Sequence, residues 1–127
     1  MNLNNFTIKS QEALQQAQQF ALGLGQQSVE SIHILKGILA VDENVAPFLF
    51  KKLNVNTKVF SETTDRIVEG LPKVHGGDIF FSRNASKVVQ NATNLIKDFD
   101  DEFVSIEHLL LSLLEEGDTV GQLMKDN

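Results

Sequence analysis

Apolar residues recur along this chain at the spacing of helix faces. Ala13, Leu14, Ala17, Phe20, Ala21 and Leu24 trace one stripe, the 3.6-residue period of an amphipathic helix. Thr7 precedes it as an N-cap, its hydroxyl able to accept from an orphan amide of the first turn. Gly23 and Gly25 suit the helix end. A second helix is predicted over about 30–41, with Ile34, Leu35, Ile38 and Leu39 as its buried stripe, and a third over about 45–53. A fourth spans about 57–69, with Val59, Phe60, Thr63, Ile67 and Val68 on one face. Then comes Gly70-Leu71-Pro72-Lys73-Val74-His75-Gly76-Gly77, where Pro and paired Gly predict a linker. Beyond it the pattern resumes with Val88, Val89, Ala92, Leu95, Ile96 and Phe99 after Ser82 as N-cap. Next is a helix over about 105–116, with Ser105 as its N-cap and Leu109, Leu110, Leu113 and Leu114 as its stripe, and a last one over about 120–125.

The second run of helices is a copy of the first. Shifting the sequence by 75 positions overlays it on itself without a gap, giving 8 identities over 47 pairs. Phe6 meets Phe81, Ala17 meets Ala92, Val29 meets Val104, His33 meets His108 and Leu35 meets Leu110. Conservative pairs such as Thr7 with Ser82 and Ile38 with Leu113 extend the match, and it falls on apolar positions at helical spacing. Two copies are too few for a solenoid. The expected fold is therefore all-α: two helical repeats related by a pseudo-twofold axis, folded into one globular domain. The boundaries implied are 6–69 for the first repeat, 70–80 for the linker and 81–127 for the second. The second copy has no counterpart of the 57–69 helix, which suggests a piece of a longer chain.

Composition narrows the chemistry. The 127 residues fit one domain. With 11 basic and 17 acidic residues the net charge is −6, which repels phosphate backbones and argues against nucleic acid. No apolar run nears the roughly 20 residues needed to span a bilayer, and the first residues lack the basic and apolar regions of a secretory signal. A cytoplasmic protein without a membrane role is expected. The absence of cysteine removes disulfides and thiolate metal sites. The nine Phe residues are expected mostly in the core.

No catalytic constellation stands out. The phosphate-binding pattern Gly-x-x-x-x-Gly-Lys-Ser/Thr is missing, so no ATP chemistry is expected in this segment. The run Asp98, Asp100, Asp101, Glu102 has carboxylates at positions one, three and five of a calcium loop. It places Phe103 where the loop needs Gly and Leu109 where it needs the bidentate Glu, so a solvated turn is the plainer reading. His33 and His108 share one slot in the two copies, as first-turn histidines that help close a helix start would. Differences between the copies are more informative, since a shared core does not explain them. Ile8 faces Arg83, Leu22 faces Lys97, Ile32 faces Glu107, Lys36 faces Leu111 and Phe50 faces Lys125. Leu111, with Ile79 and Phe80 from the linker, is a candidate for an exposed apolar binding surface. Packing of these three between the copies or under the linker helix is the plainer alternative.

The signature Val-x-x-x-His-(Ile/Leu)-Leu-x-x-(Ile/Leu)-Leu occurs at Val29–Leu39 and again at Val104–Leu114. It resembles that of the Clp amino-terminal repeat domain, and the resemblance covers essentially the whole chain. The opening Met1-Asn2-Leu3, Phe6-Thr7, and Leu71-Pro72-Lys73-Val74 followed by Gly76-Gly77 resemble the ClpB branch of that family. The resemblance implies a non-enzymatic domain at the top of a hexameric AAA+ disaggregase, engaging unfolded or aggregated polypeptides and adaptor proteins. ATP and magnesium would belong to ATPase modules outside this chain, and an Hsp70-type chaperone system would cooperate with the parent. The isolated domain would be a monomer. The alternative within the family is an adaptor-docking domain of a ClpC or ClpA unfoldase feeding the ClpP protease. A stand-alone small enzyme or ligand-binding domain would need converging catalytic groups that the pattern does not supply. Polar positions tied to substrate engagement in the family fall on Thr7, Asp101 and Glu107, beside an apolar groove to which Leu111, Ile79 and Phe80 would contribute.

Overall fold

A computed structural model describes residues 3–74, 77–116 and 119–126. The first repeat supplies α1 (Ile8–Gly23), β1 (Ser28–Val29), α2 (Ser31–Val41), α3 (Val45–Lys52) and α4 (Thr57–Glu69). The second supplies β2 (Phe80–Phe81), α5 (Arg83–Asp98), α6 (Ile106–Glu115) and α7 (Thr119–Asp126). The fold is all-α, as expected. The first residues of α1 and α5, and of α2 and α6, are each 75 positions apart, the same shift that aligns the sequence.

The same local chemistry starts both long helices. Thr7 Oγ1 accepts from the Ser10 amide at 3.2 Å, and Ser82 Oγ accepts from the Ala85 amide at 3.0 Å. Both helices also end alike. Gly25 at φ 69° and Asp100 at φ 55° turn the chain left-handed. The next amides, Gln26 and Asp101, then return to the carbonyls of Ala21 and Ile96, each at 2.8 Å. Glycine takes that conformation freely, and Asp is among the few other residues that tolerate it.

The halves are joined by main-chain pairing that crosses between them, a feature the periodicity did not predict. Phe6, ahead of α1, forms a parallel bridge with Val104, ahead of α6. Phe81, ahead of α5, pairs in parallel with Val29, ahead of α2. The hydrogen bonds repeat with the symmetry: Thr7 N to Val104 O at 3.0 Å, and Ser82 N to Val29 O at 2.9 Å. Two-residue strands lie below the reach of a pattern argument, which needs four or more alternating positions.

The core is continuous across this exchange. Phe6, Leu14, Ile34, Leu35 and Ile38 from the first half pack in one cluster with Val88, Ala92, Val104, Leu109 and Leu113 from the second. Phe50 of α3 meets Phe60 of α4 with ring centroids 4.8 Å apart, within the range of favourable tilted pairs. Phe placement differs from the expectation: Phe48, Phe80, Phe99 and Phe103 are exposed, four of the nine. The described residues on either side of positions 75–76 are hydrogen-bonded to the first half, Val74 N donating to Gly25 O and Gln27 Nε2 to Asp78 O. His75, placed by the sequence in the linker, lies outside the described residues.

The equivalent helix pairs, α1 with α2 and α5 with α6, cross at different closeness. At Gly37 in α2, a Cβ would run into the main-chain carbonyl of Ala13 in α1. The corresponding residue of α6 is Ser112, which keeps its side chain and donates from Oγ to Val88 O of α5 at 2.6 Å. Gly37→Ala is therefore expected to destabilise the domain by about 1–3 kcal/mol through forced separation of α1 and α2. A lower denaturant midpoint at unchanged slope checks this, and an unaltered midpoint would refute the close approach.

Candidate protein-docking surface

Two buried histidines organise the turns that carry the polar site residues. Glu30 is the N-cap of α2, and its main-chain N–H donates to His33 Nδ1 at 2.8 Å. Ser105 is the N-cap of α6, and its N–H donates to His108 Nδ1 at 2.9 Å. An imidazole here takes the part usually played by Glu or Gln in a capping box. Each ring then reaches, through Nε2, the residue just past the left-handed turn. His33 lies 2.6 Å from Gln26 Oε1, and His108 lies 2.9 Å from Asp101 Oδ2. Gln26 in turn donates to Val68 O at 2.6 Å, tying the first row to the end of α4.

Ser105, His108 and Asp101 thus align in the order of a hydrolytic triad. The duplicate shows that the row is a helix cap. In the first half the same row is Glu30, His33 and Gln26, with a carboxylate in place of the Ser105 hydroxyl and a neutral amide in place of Asp101. The Ser105 hydroxyl also has another acceptor, Glu107 Oε2 at 3.0 Å. Among the described residues no three His, Asp or Glu groups converge on a cation position, and none assembles around the Asp98–Glu102 run.

The six residues singled out by sequence divide into two regions. Thr7, half-buried, caps α1 while its amide holds Val104 O. The Phe6–Val104 bridge therefore sets Thr7 beside the short segment carrying Asp101 and Glu107, both exposed. Asp101 serves as acceptor for the His108 ring and does not lie in the first turn of a helix. Glu107 does sit in the first turn of α6. Phe80 is exposed at 52%, so packing beneath the linker helix does not account for it. Ile79 is half-buried against the core, and Leu111 is half-buried in α6. Phe80 and Ile79 line two small neighbouring recesses that share Gln27 and Val74.

A third, larger groove of about 700 Å³ lies between α3 and the start of α6, with Val45, Pro47, Phe48, Leu49, Glu43 and Glu107 among its lining. Sequence reasoning gave Glu107 but missed the α3 side. Asp42 builds that side: Oδ1 accepts from the amides of Asn44 and Val45, and Oδ2 from Ala46 at 2.6 Å. Ala46 and Phe50 then bury one face of α3, and Phe48 is turned outward at 59% exposure. The pairing of Phe48 with Leu123 across the repeat hid this, because Leu123 is buried.

Burial of His33 holds its pKa below the usual imidazole value; Lys36 adds to the lowering and Glu30 opposes it. The folded state therefore binds this proton less readily than the unfolded chain does. Its contribution to stability is complete above the unfolded pKa of about 6.5 and is lost as pH falls through the lower folded value. Protonation would also put a hydrogen on Nδ1, where the Glu30 amide donates. Denaturant midpoints are expected to drop between pH 7.5 and 5, and His33→Gln, which keeps a capping-box residue, should flatten that slope. An equal slope in the variant would show that other groups cause it.

Comparison with known proteins agrees with this architecture. A family model described as the Clp repeat (R) N-terminal domain matches residues 5–127. The chaperone protein ClpB of Bacteroides thetaiotaomicron is 48% identical over 126 residues, 99% of this chain and 15% of that protein. ClpB of Porphyromonas gingivalis is 39% identical over the same proportions. The chain thus spans about 15% of the length of these curated relatives. The N-terminal domain of Hsp104 from Candida albicans superposes with a TM-score of 0.88 at 20% identity, covering 97% of this chain and 81% of that one. With its duplicated helices, its paired His caps and a family match along nearly its whole length, the chain belongs to the Clp repeat N-terminal domain family.

Proposed function

We propose that this domain engages unfolded or aggregated polypeptides, and the adaptors that deliver them, as the N-terminal domain of an ATP-dependent disaggregase of the ClpB type. ATP and magnesium would act elsewhere in such a protein, and this domain would grip without turning anything over. Cooperation with an Hsp70-type chaperone system, hexamer formation and a cytoplasmic setting belong to the same reading.

The observation that carries it is the open groove between α3 and Glu107, with Phe48 exposed at its side. An unfolded chain presents apolar side chains without a fixed shape, and a shallow apolar groove receives them without demanding one. Full burial of a Phe side chain is worth about 1.5–3 kcal/mol, so covering the exposed part of Phe48 gives a weak, reversible contact. Such binding tolerates salt, because the apolar contribution is not screened.

Phe48→Asp is expected to lower the affinity of the domain for a fluorescently labelled, permanently unfolded polypeptide about tenfold, the equivalent of roughly 1.4 kcal/mol. Fluorescence anisotropy measures this, and the thermal midpoint should hardly move because the side chain is exposed. Undiminished affinity in the variant, at low and high salt alike, would sink the groove as the docking surface.

A further inference from the structure

The row Asp101–His108–Ser105 leads to Glu107, and Glu107 lines the groove. We propose that Asp101 is a positioning residue for Glu107, acting through His108 and without touching the bound polypeptide; this rests on the groove reading above.

A neutral imidazole has one donor and one acceptor nitrogen. The Ser105 amide, 2.9 Å from Nδ1, is a donor, so Nδ1 must be the acceptor and the proton sits on Nε2. Asp101 Oδ2, 2.9 Å away, receives it. The Ser105 hydroxyl also stands 2.9 Å from Nδ1, but that lone pair is already held by the amide, so the hydroxyl directs its hydrogen to Glu107 Oε2 at 3.0 Å. The carboxylate of Glu107 is thereby tethered at the groove beside the apolar wall of α3. Without an acceptor at position 101 the ring loses its reason to keep the proton on Nε2. The other tautomer points Nδ1–H at the Ser105 N–H, two donors head to head, and leaves Nδ1–H to turn to the Ser105 hydroxyl oxygen instead of the amide. The ring then leaves the cap, and the turn carrying Glu107 loosens.

The first half supplies an internal control. There Gln26 performs the same acceptor role for His33 with a neutral amide oxygen, so capping needs an acceptor and not a charge. The position matching Glu107 is Ile32, which is buried, and the carboxylate of the first row, Glu30, is itself the N-cap and is held by Ser28 Oγ at 2.6 Å. Among the described residues, the link from a cap hydroxyl to a carboxylate on the α3 groove is therefore a feature of the second half.

Asp101→Asn and Asp101→Leu separate the roles, read by anisotropy with the same unfolded polypeptide and by nitrogen-15 NMR of the His108 ring. Glu107→Ala is expected to weaken binding about 2–5-fold, the scale of one exposed rim charge. Asp101→Leu should weaken it by the same factor, and the double variant Asp101→Leu/Glu107→Ala no further, since one residue works through the other. Asp101→Asn should bind as the parent does and keep the Nε2–H ring signature, which Asp101→Leu should lose. Losses that multiply in the double variant, or a loss in Asp101→Asn equal to that in Asp101→Leu, would overturn the proposal and assign Asp101 a direct contact. If Phe48→Asp and Glu107→Ala both bind normally, the groove reading fails. The ring signature then still decides the tether: a His108 spectrum unchanged in Asp101→Leu refutes it, and a changed one upholds it.

Discussion

Each half of this domain is completed by backbone from the other. The residue ahead of α1 bridges to the residue ahead of α6, and the residue ahead of α5 pairs with the one ahead of α2. A buried main-chain amide or carbonyl without a partner costs more than a hydrogen bond returns. Neither half could therefore bury its helix starts alone without leaving Thr7 N, Ser82 N and their acceptors unsatisfied. The exchange also fixes where the caps stand. Thr7 and Ser82 are N-caps whose own amides are held by the opposite half, so the start of each long helix is locked to the start of a shorter helix across the pseudo-twofold axis.

Around that frame the duplication has been kept where packing demands it and relaxed where it does not. The His-closed cap is present in both copies, where the ring satisfies the amide of the N-cap residue. Its far partner has diverged from Gln26 to Asp101, and its surroundings have diverged with it. Gln26 is buried and braced by α4 and the linker, whereas Asp101 is exposed. At the helix crossings, Gly37 lets α1 and α2 touch backbone to backbone, while Ser112 holds α5 and α6 together through a side chain. One half is thus braced against its own fourth helix, and the other is closed through side-chain hydrogen bonds.

That asymmetry leaves room for the proposed docking. The α3 groove is formed between an element of the first half and the opening turn of α6 in the second. Its α3 side stands because Asp42 caps the first amides of the helix, and because Ala46 and Phe50 turn inward and leave Phe48 outside. The exposed Phe residues and the carboxylates near them sit on parts of the repeat that the shared core does not constrain.

Most of the fold was legible in the chain. The seven helices of the described residues, their caps at Thr7, Ser82 and Ser105, and the 75-residue duplication all follow from apolar periodicity and cap chemistry, which are local. The equivalence of His33 and His108, and their place in a helix start, was legible for the same reason. Three things required the tertiary structure. One crossed pairing is two residues long and the other a single bridge, and they join segments about 50 or 100 positions apart, so no local pattern announces them. The partners of the histidine rings depend on where a left-handed turn aims the next side chain, which is a matter of backbone direction. Which apolar residues face solvent depends on what the opposite half covers. Phe50 and Phe48 are both aromatic and two positions apart, yet one fills the core against Phe60 and the other lines the groove.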